Sequence, residues 1–178
     1  MPGKRAMLDT PRSHQPISVM TAVNFGELRI SRNAAETLVA FSVGSGMAIS
    51  AFDPTAKVGG LLNVVLPNSS MMSPLKAQIN PFMFADTGLN AFMDRLHDSG
   101  ARTENLKVVL AGGAQIMDQT DTFNIGSKNL QAVSSILGKR NLAIHYADVG
   151  GMFLRTLRLD MGRGANRIQI LGQTEVTV

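Results

Sequence analysis

Apolar positions in this chain fall into short β-like runs broken by glycine, serine and proline, with two longer stretches at helical spacing. Residues 17–30 and 37–51 mix β-branched and apolar residues with Gly and Ser breaks, which predicts strands beside a turn-rich site that pair within a sheet. Asp53-Pro54 closes the second run, and Gly59-Gly60 opens the next, Leu61 to Leu66, a buried strand with one polar residue, Asn63. That run stops at Pro67-Asn68, and residues 67–81 turn to Ser, Asn, Pro, Met and Lys, the composition of a loop.

From Phe82 to Ser99, Phe84, Leu89, Phe92, Met93 and Leu96 recur at spacings of three and four, and Gly100 follows as a C-cap. This predicts a helix. Val108 to Ala111 is a short strand ending in Gly112-Gly113-Ala114. A second helix is expected from about Lys128 to Leu137, closed by Gly138, and Asn141 to Tyr146 is a further strand. Residues 153–161 and 167–171 alternate in polarity around Gly162 and Gly164, as a hairpin does. The order of elements predicts an α+β fold with mixed sheets rather than a regular βαβ series. No internal repeat interrupts it.

At 178 residues, 44% of them apolar, the chain can bury a substantial core. The expected division is a flexible basic N-terminal arm over residues 1–16 and a single domain over residues 17–178. The arm combines Pro2, Gly3, Pro11 and Pro16 with charges, and no apolar run follows it as a secretory signal requires. The first 33 residues carry Lys4, Arg5, Arg12, Arg29 and Arg32 against Asp9 and Glu27, net +3 of the total +4. The body is therefore nearly neutral and lacks the interleaved basic and aromatic residues of a nucleic-acid surface. The longest apolar stretch, Leu38 to Phe52, is too short to cross a bilayer as a helix. A cytoplasmic location is expected.

The chain has no cysteine, which excludes disulfides, thiolate metal sites and thiol catalysis. Its glycine clusters lack the Lys-Ser/Thr of a phosphate loop and the dinucleotide fingerprint. His14, His97 and His145 show no ligand spacing, so no metal or other cofactor is expected. A serine-hydrolase reading takes Ser45 in Gly44-Ser45-Gly46 as nucleophile, but it needs a base within reach, and only His145 lies in a strand.

A distributed set of short motifs carries more information than any of these. In order they are Val43-Gly44-Ser45; Asp53-Pro54-Thr55-Ala56-Lys57-Val58-Gly59-Gly60; Val65-Leu66-Pro67; Phe84-Ala85-Asp86; Gly100-Ala101; Gly112-Gly113-Ala114; Asn124-Ile125-Gly126 with Asn129; and Asp148-Val149-Gly150-Gly151 with Arg155. As an ordered set over roughly residues 18–172 they resemble the CheD family of chemoreceptor glutamine deamidases. The resemblance implies a sandwich of mixed β-sheets with helices packed outside. It also implies a catalytic cysteine, an activating histidine and an orienting threonine. These positions fall on Gly46, Asn63 and Ala40, so all three are replaced.

Acylation and hydrolysis of an amide both require a nucleophile and a proton carrier, which glycine, asparagine and alanine do not supply. The expectation is a catalytically inactive CheD-like protein that keeps a binding role, with chemoreceptor cytoplasmic domains or a CheC-like phosphatase as partner. Two alternatives stand beside it: an active protein-glutamine amidohydrolase using Ser45, and a structural or secretion-associated component on the same fold.

Overall fold

A computed structural model of the protein describes residues 19–115 and 124–178. The expected N-terminal arm lies outside them. Among the described residues ten strands form two five-stranded sheets. The first has the order β1-β3-β8-β9-β10, from Val19–Ala22, Glu36–Val43, Arg155–Asp160, Ala165–Ile170 and Val176–Thr177. The second has the order β2-β5-β4-β6-β7, from Glu27–Ser31, Val58–Val64, Met47–Asp53, Lys107–Gly112 and Ile144–Val149. Each sheet holds one parallel pair, β1 with β3 and β6 with β7, among antiparallel ones. The mixed-sheet α+β sandwich is thus observed.

The helices are α1, Pro74–Ile79; α2, Ala85–Asp98; and α3, Ile125–Lys139. α2 and α3 cover the outer face of the second sheet, so the molecule has three layers. Strands β4 and β5 are buried along their whole length. Their alternate side chains serve two cores: Met47, Ile49, Leu62 and Val64 pack with Leu89, Phe92 and Met93 of α2 and Val133 and Leu137 of α3. Ala48, Phe52 and Leu61 face the first sheet and pack with Leu38, Ala40, Leu157 and Leu159. A strand covered on both faces reads as a continuous apolar run, which is why these segments lack a polar-apolar alternation. Gly60 is needed in that packing, because a Cβ there would lie 2.7 Å from the Phe92 ring and 2.6 Å from the Arg29 carbonyl.

Several expectations require correction. Residues 17–30 and 37–51 are not two strands but four, and each run breaks so that its halves enter different sheets. The segment 67–81 is not all loop: it contains α1 and a turn of 3₁₀ helix at Ser69–Met71. α1 buries none of its residues and so leaves no apolar periodicity to detect. α2 ends as expected: Gly100 takes φ +90°, its N–H reaches the His97 carbonyl, and the Ala101 N–H reaches Leu96. α3, however, runs through Gly138. The left-handed residue that stops it is Asn141 at φ +55°, with the Leu142 N–H on the Leu137 carbonyl. The strand expected at Asn141 therefore starts later, at Ile144.

Candidate functional site

The turn between β3 and β4, residues 44–46, lies where the motifs at 65–67, 112–114, 124–129 and 148–155 meet, while those at 53–60 and 100–101 lie at the other end of β4. Its three carbonyls are taken by two segments, the end of β6 and α3. The Gly113 N–H donates to Gly46 at 2.7 Å and the Ala114 N–H to Gly44 at 2.9 Å. The Asn129 amide, one turn into α3, donates to Ser45 and to Val65, both at 2.8 Å. The start of α3 can reach this turn because Gly126 has no Cβ; one would lie 2.5 Å from the Gly113 carbonyl. A further link runs from the Gly150 N–H to the Gly112 carbonyl.

The loop after β7 is fixed by Arg155, which is buried. Its Nε donates to Asp148 at 2.8 Å and its Nη1 to the carbonyls of Gly150 and Phe153. Three hydrogen bonds, the one to Asp148 also an ion pair, satisfy a charge that would otherwise be costly to bury. The result is a rigid loop that holds Met152, Phe153 and Leu154 in solvent.

A cleft of about 330 Å³ opens over the turn, lined by Phe25, Ser42, Gly44, Ser45, Gly46, Val65 and Leu154. None of these side chains titrates. Its rim is apolar: Phe25 is 58% exposed and Leu154 46%. Phe41 and Ser42 sit in a register shift between β3 and β8, with Ser42 in the left-handed region at φ +51°. The irregularity turns Phe41 outward, and bulges of this kind recur beside sites.

The three positions on which the resemblance places cysteine, histidine and threonine lie in different settings. Gly46 lines the cleft, and an ideal Cβ on it would lie 2.5 Å from the Val64 carbonyl oxygen, closer than van der Waals contact allows. Asn63 is buried beneath, paired with Ala48 across the sheet, and its Nδ2 donates to the Val23 carbonyl at 3.1 Å. Its Oδ1 has no partner among the described residues. Ala40 is buried in the core between the sheets. Ser45 lines the cleft, whereas His145 lines a different one, together with Lys107 and Asn166. Asn129 gave no chemical signal in the sequence; only its place in an ordered motif singled it out.

Two sheets with helices on one outer face, closing glycine-rich turns around a cleft, define an α+β sandwich whose candidate site is built from loops at one end. A family model described as CheD chemotactic sensory transduction matches residues 65–169. The chain is 39% identical over 142 residues to the probable chemoreceptor glutamine deamidase CheD 1 of Syntrophus aciditrophicus, covering 80% of this chain and 88% of that protein. It is 34% identical over 156 residues to the corresponding protein of Solibacter usitatus, covering 88% and 92%. With CheD 2 of Anaeromyxobacter dehalogenans it shares 37% over 150 residues, covering 84% and 94%. The chain belongs to the CheD family. No helix among the described residues is long and apolar enough to cross a membrane.

Proposed function

We propose that this chain is a binding member of the CheD family that docks chemoreceptor cytoplasmic domains without deamidating them. The observation that carries this reading is the backbone at Gly46: the Val64 carbonyl stands 2.5 Å from where a side chain would begin, so the nucleophile position is filled by main chain. Around it the cleft stays open, apolar-rimmed and free of titratable side chains, a surface suited to holding a partner but not to moving a proton. Asn63 at the base position donates its amide N–H to the Val23 carbonyl and, as an amide, cannot take up a proton as a general base. The receptor as partner is taken from the names of the relatives.

The reading is tested by calorimetric titration with a receptor cytoplasmic domain, with ammonia measured on the same mixture. Saturable binding without ammonia release supports it. Ammonia release above background that Ser45→Ala abolishes would replace it with a serine amidohydrolase, and absence of binding removes the receptor.

A further inference from the structure

The short connection between β1 and β2, residues 23–26, separates two clefts. Phe25 lines the one over the Gly46 turn; Val23 and Gly26 line another, of about 340 Å³, bounded otherwise by β1, the start of β2 and Phe82. Val23 is anchored in the core between the sheets, and its N–H donates to the Val39 carbonyl. Beyond it the chain is lightly held. Phe25 is more than half exposed and so buries little apolar area, and Asn24 bonds its neighbour Glu27. Among the described residues, the hydrogen bonds that tie this connection to β5 both run to Asn63. The Asn63 Nδ2 donates to the Val23 carbonyl at 3.1 Å, and its main-chain carbonyl accepts the Gly26 N–H at 2.7 Å.

The same Asn63 is 1% exposed, and its Oδ1 has no donor among the described residues. An acceptor buried in this way has lost its hydration without a replacement, which raises the free energy of the closed arrangement. With residues 24–26 lifted, water supplies the missing donor. Asn129 Oδ1 is unpaired as well, but the turn that Asn129 holds is also fixed by the N–H groups of Gly113 and Ala114. Residues 24–26 have no such second anchor from another strand. How closely they lie is set by Gly26, at φ +70°: a Cβ there would stand 2.8 Å from the Asn80 amide nitrogen and from the Met83 side chain.

From this arrangement we infer that residues 24–26 are a gate hinged at Val23, whose opening uncovers Asn63 and joins the two clefts into one groove. Hydrogen bonds to a single residue hold the gate shut, and the unpaired Oδ1 of that residue lowers the free energy needed to open it. The gate borders the Gly46 cleft but belongs to the free chain, so it stands or falls apart from the receptor reading.

The chain has no cysteine, so a single introduced thiol reports on opening. Ala48 is the strand partner of Asn63 and is fully buried; Ile49, equally buried, packs in the other core. Ala48→Cys should react with a water-soluble disulfide reagent at least about tenfold faster than Ile49→Cys, whose rate follows global unfolding. Gly26→Ala, which forces residues 24–26 away from Asn80 and Met83, should raise the Ala48→Cys rate about tenfold further. Equal rates at the two positions, or a rate at Ala48→Cys that Gly26→Ala leaves unchanged, would overturn the inference. Amide exchange on the parent chain tests it without a core substitution. Exchange of the Gly26 N–H should be insensitive to urea too dilute to unfold the chain, while that of the β5 amides accelerates; a shared urea dependence would equally overturn the gate.

Discussion

Asn129 and Ser45, 84 positions apart in the chain, are joined by a 2.8 Å hydrogen bond from the asparagine amide to the serine carbonyl. The other N–H of the same amide holds Val65 at 2.8 Å, so one side chain of α3 ties the β3–β4 turn to the end of β5. The floor of the cleft is thereby fixed from the helix layer. Asn129→Ala leaves two carbonyls without donors and should cost about 2–3 kcal/mol. Urea denaturation measures it; a loss under about 0.5 kcal/mol would mean that the turn is held without Asn129.

A thiol placed at position 46, where the family resemblance implies cysteine, should not create deamidase activity. Gly46→Cys places a Cβ against the Val64 carbonyl and should destabilise the fold by about 1–3 kcal/mol, as overpacking does. The thiol would also lack a base, since Asn63 stands where the family resemblance implies histidine. Melting of Gly46→Ala and Gly46→Cys beside the parent chain measures the clash. Equal stability would show that the backbone gives way there.

Acid should destabilise the fold through two buried carboxylates. Burial raises the pKa of Glu36, but bonds from the Ser31 and Thr21 hydroxyls and the Arg29 charge outweigh it and hold the group below its ordinary value. Burial likewise raises Asp53, and the N–H groups of Ala56, Arg102 and Thr55, with Asn105, bring it below the ordinary value. The unfolded chain therefore binds these protons more readily. The stabilisation is fully present above the unfolded carboxyl range, about pH 4, and is lost as pH falls through the folded values. Glu36→Gln and Asp53→Asn should each flatten the acid limb of a stability-against-pH curve, and an unchanged limb in both would exclude this origin.

Gly138 lies in the last turn of α3, exposed, with nothing within 4 Å of where a Cβ would stand. Gly138→Ala should stabilise by about 0.5–1 kcal/mol, by lowering the unfolded chain's entropy and raising helix propensity. Were Gly138 the cap, the same change would destabilise, so a thermal melt separates the two.

The same glycine shows where sequence legibility ended. Gly100 was legible as a cap because an amphipathic pattern stops just before it, whereas Gly138 sits between apolar residues and a turn, and Asn141 competes for the same role. The allocation of strands to sheets was not legible: β4 and β5 are covered on both faces, so their residues carry no mark of which layer they face. α1 left no trace because it buries nothing. Part of the ordered motif set that singled out Gly46 is brought together in the structure, since Gly112 to Ala114, Gly126 and Asn129 pack around or bond the 44–46 turn.

The most direct test of the central claim is mass spectrometry of receptor glutamines after incubation of a chemoreceptor cytoplasmic domain with excess of this chain, under conditions where calorimetry shows the complex formed. The predicted result is a saturable complex with every glutamine side chain unconverted. Conversion of a receptor glutamine to glutamate, dependent on the amount of this chain, would contradict it.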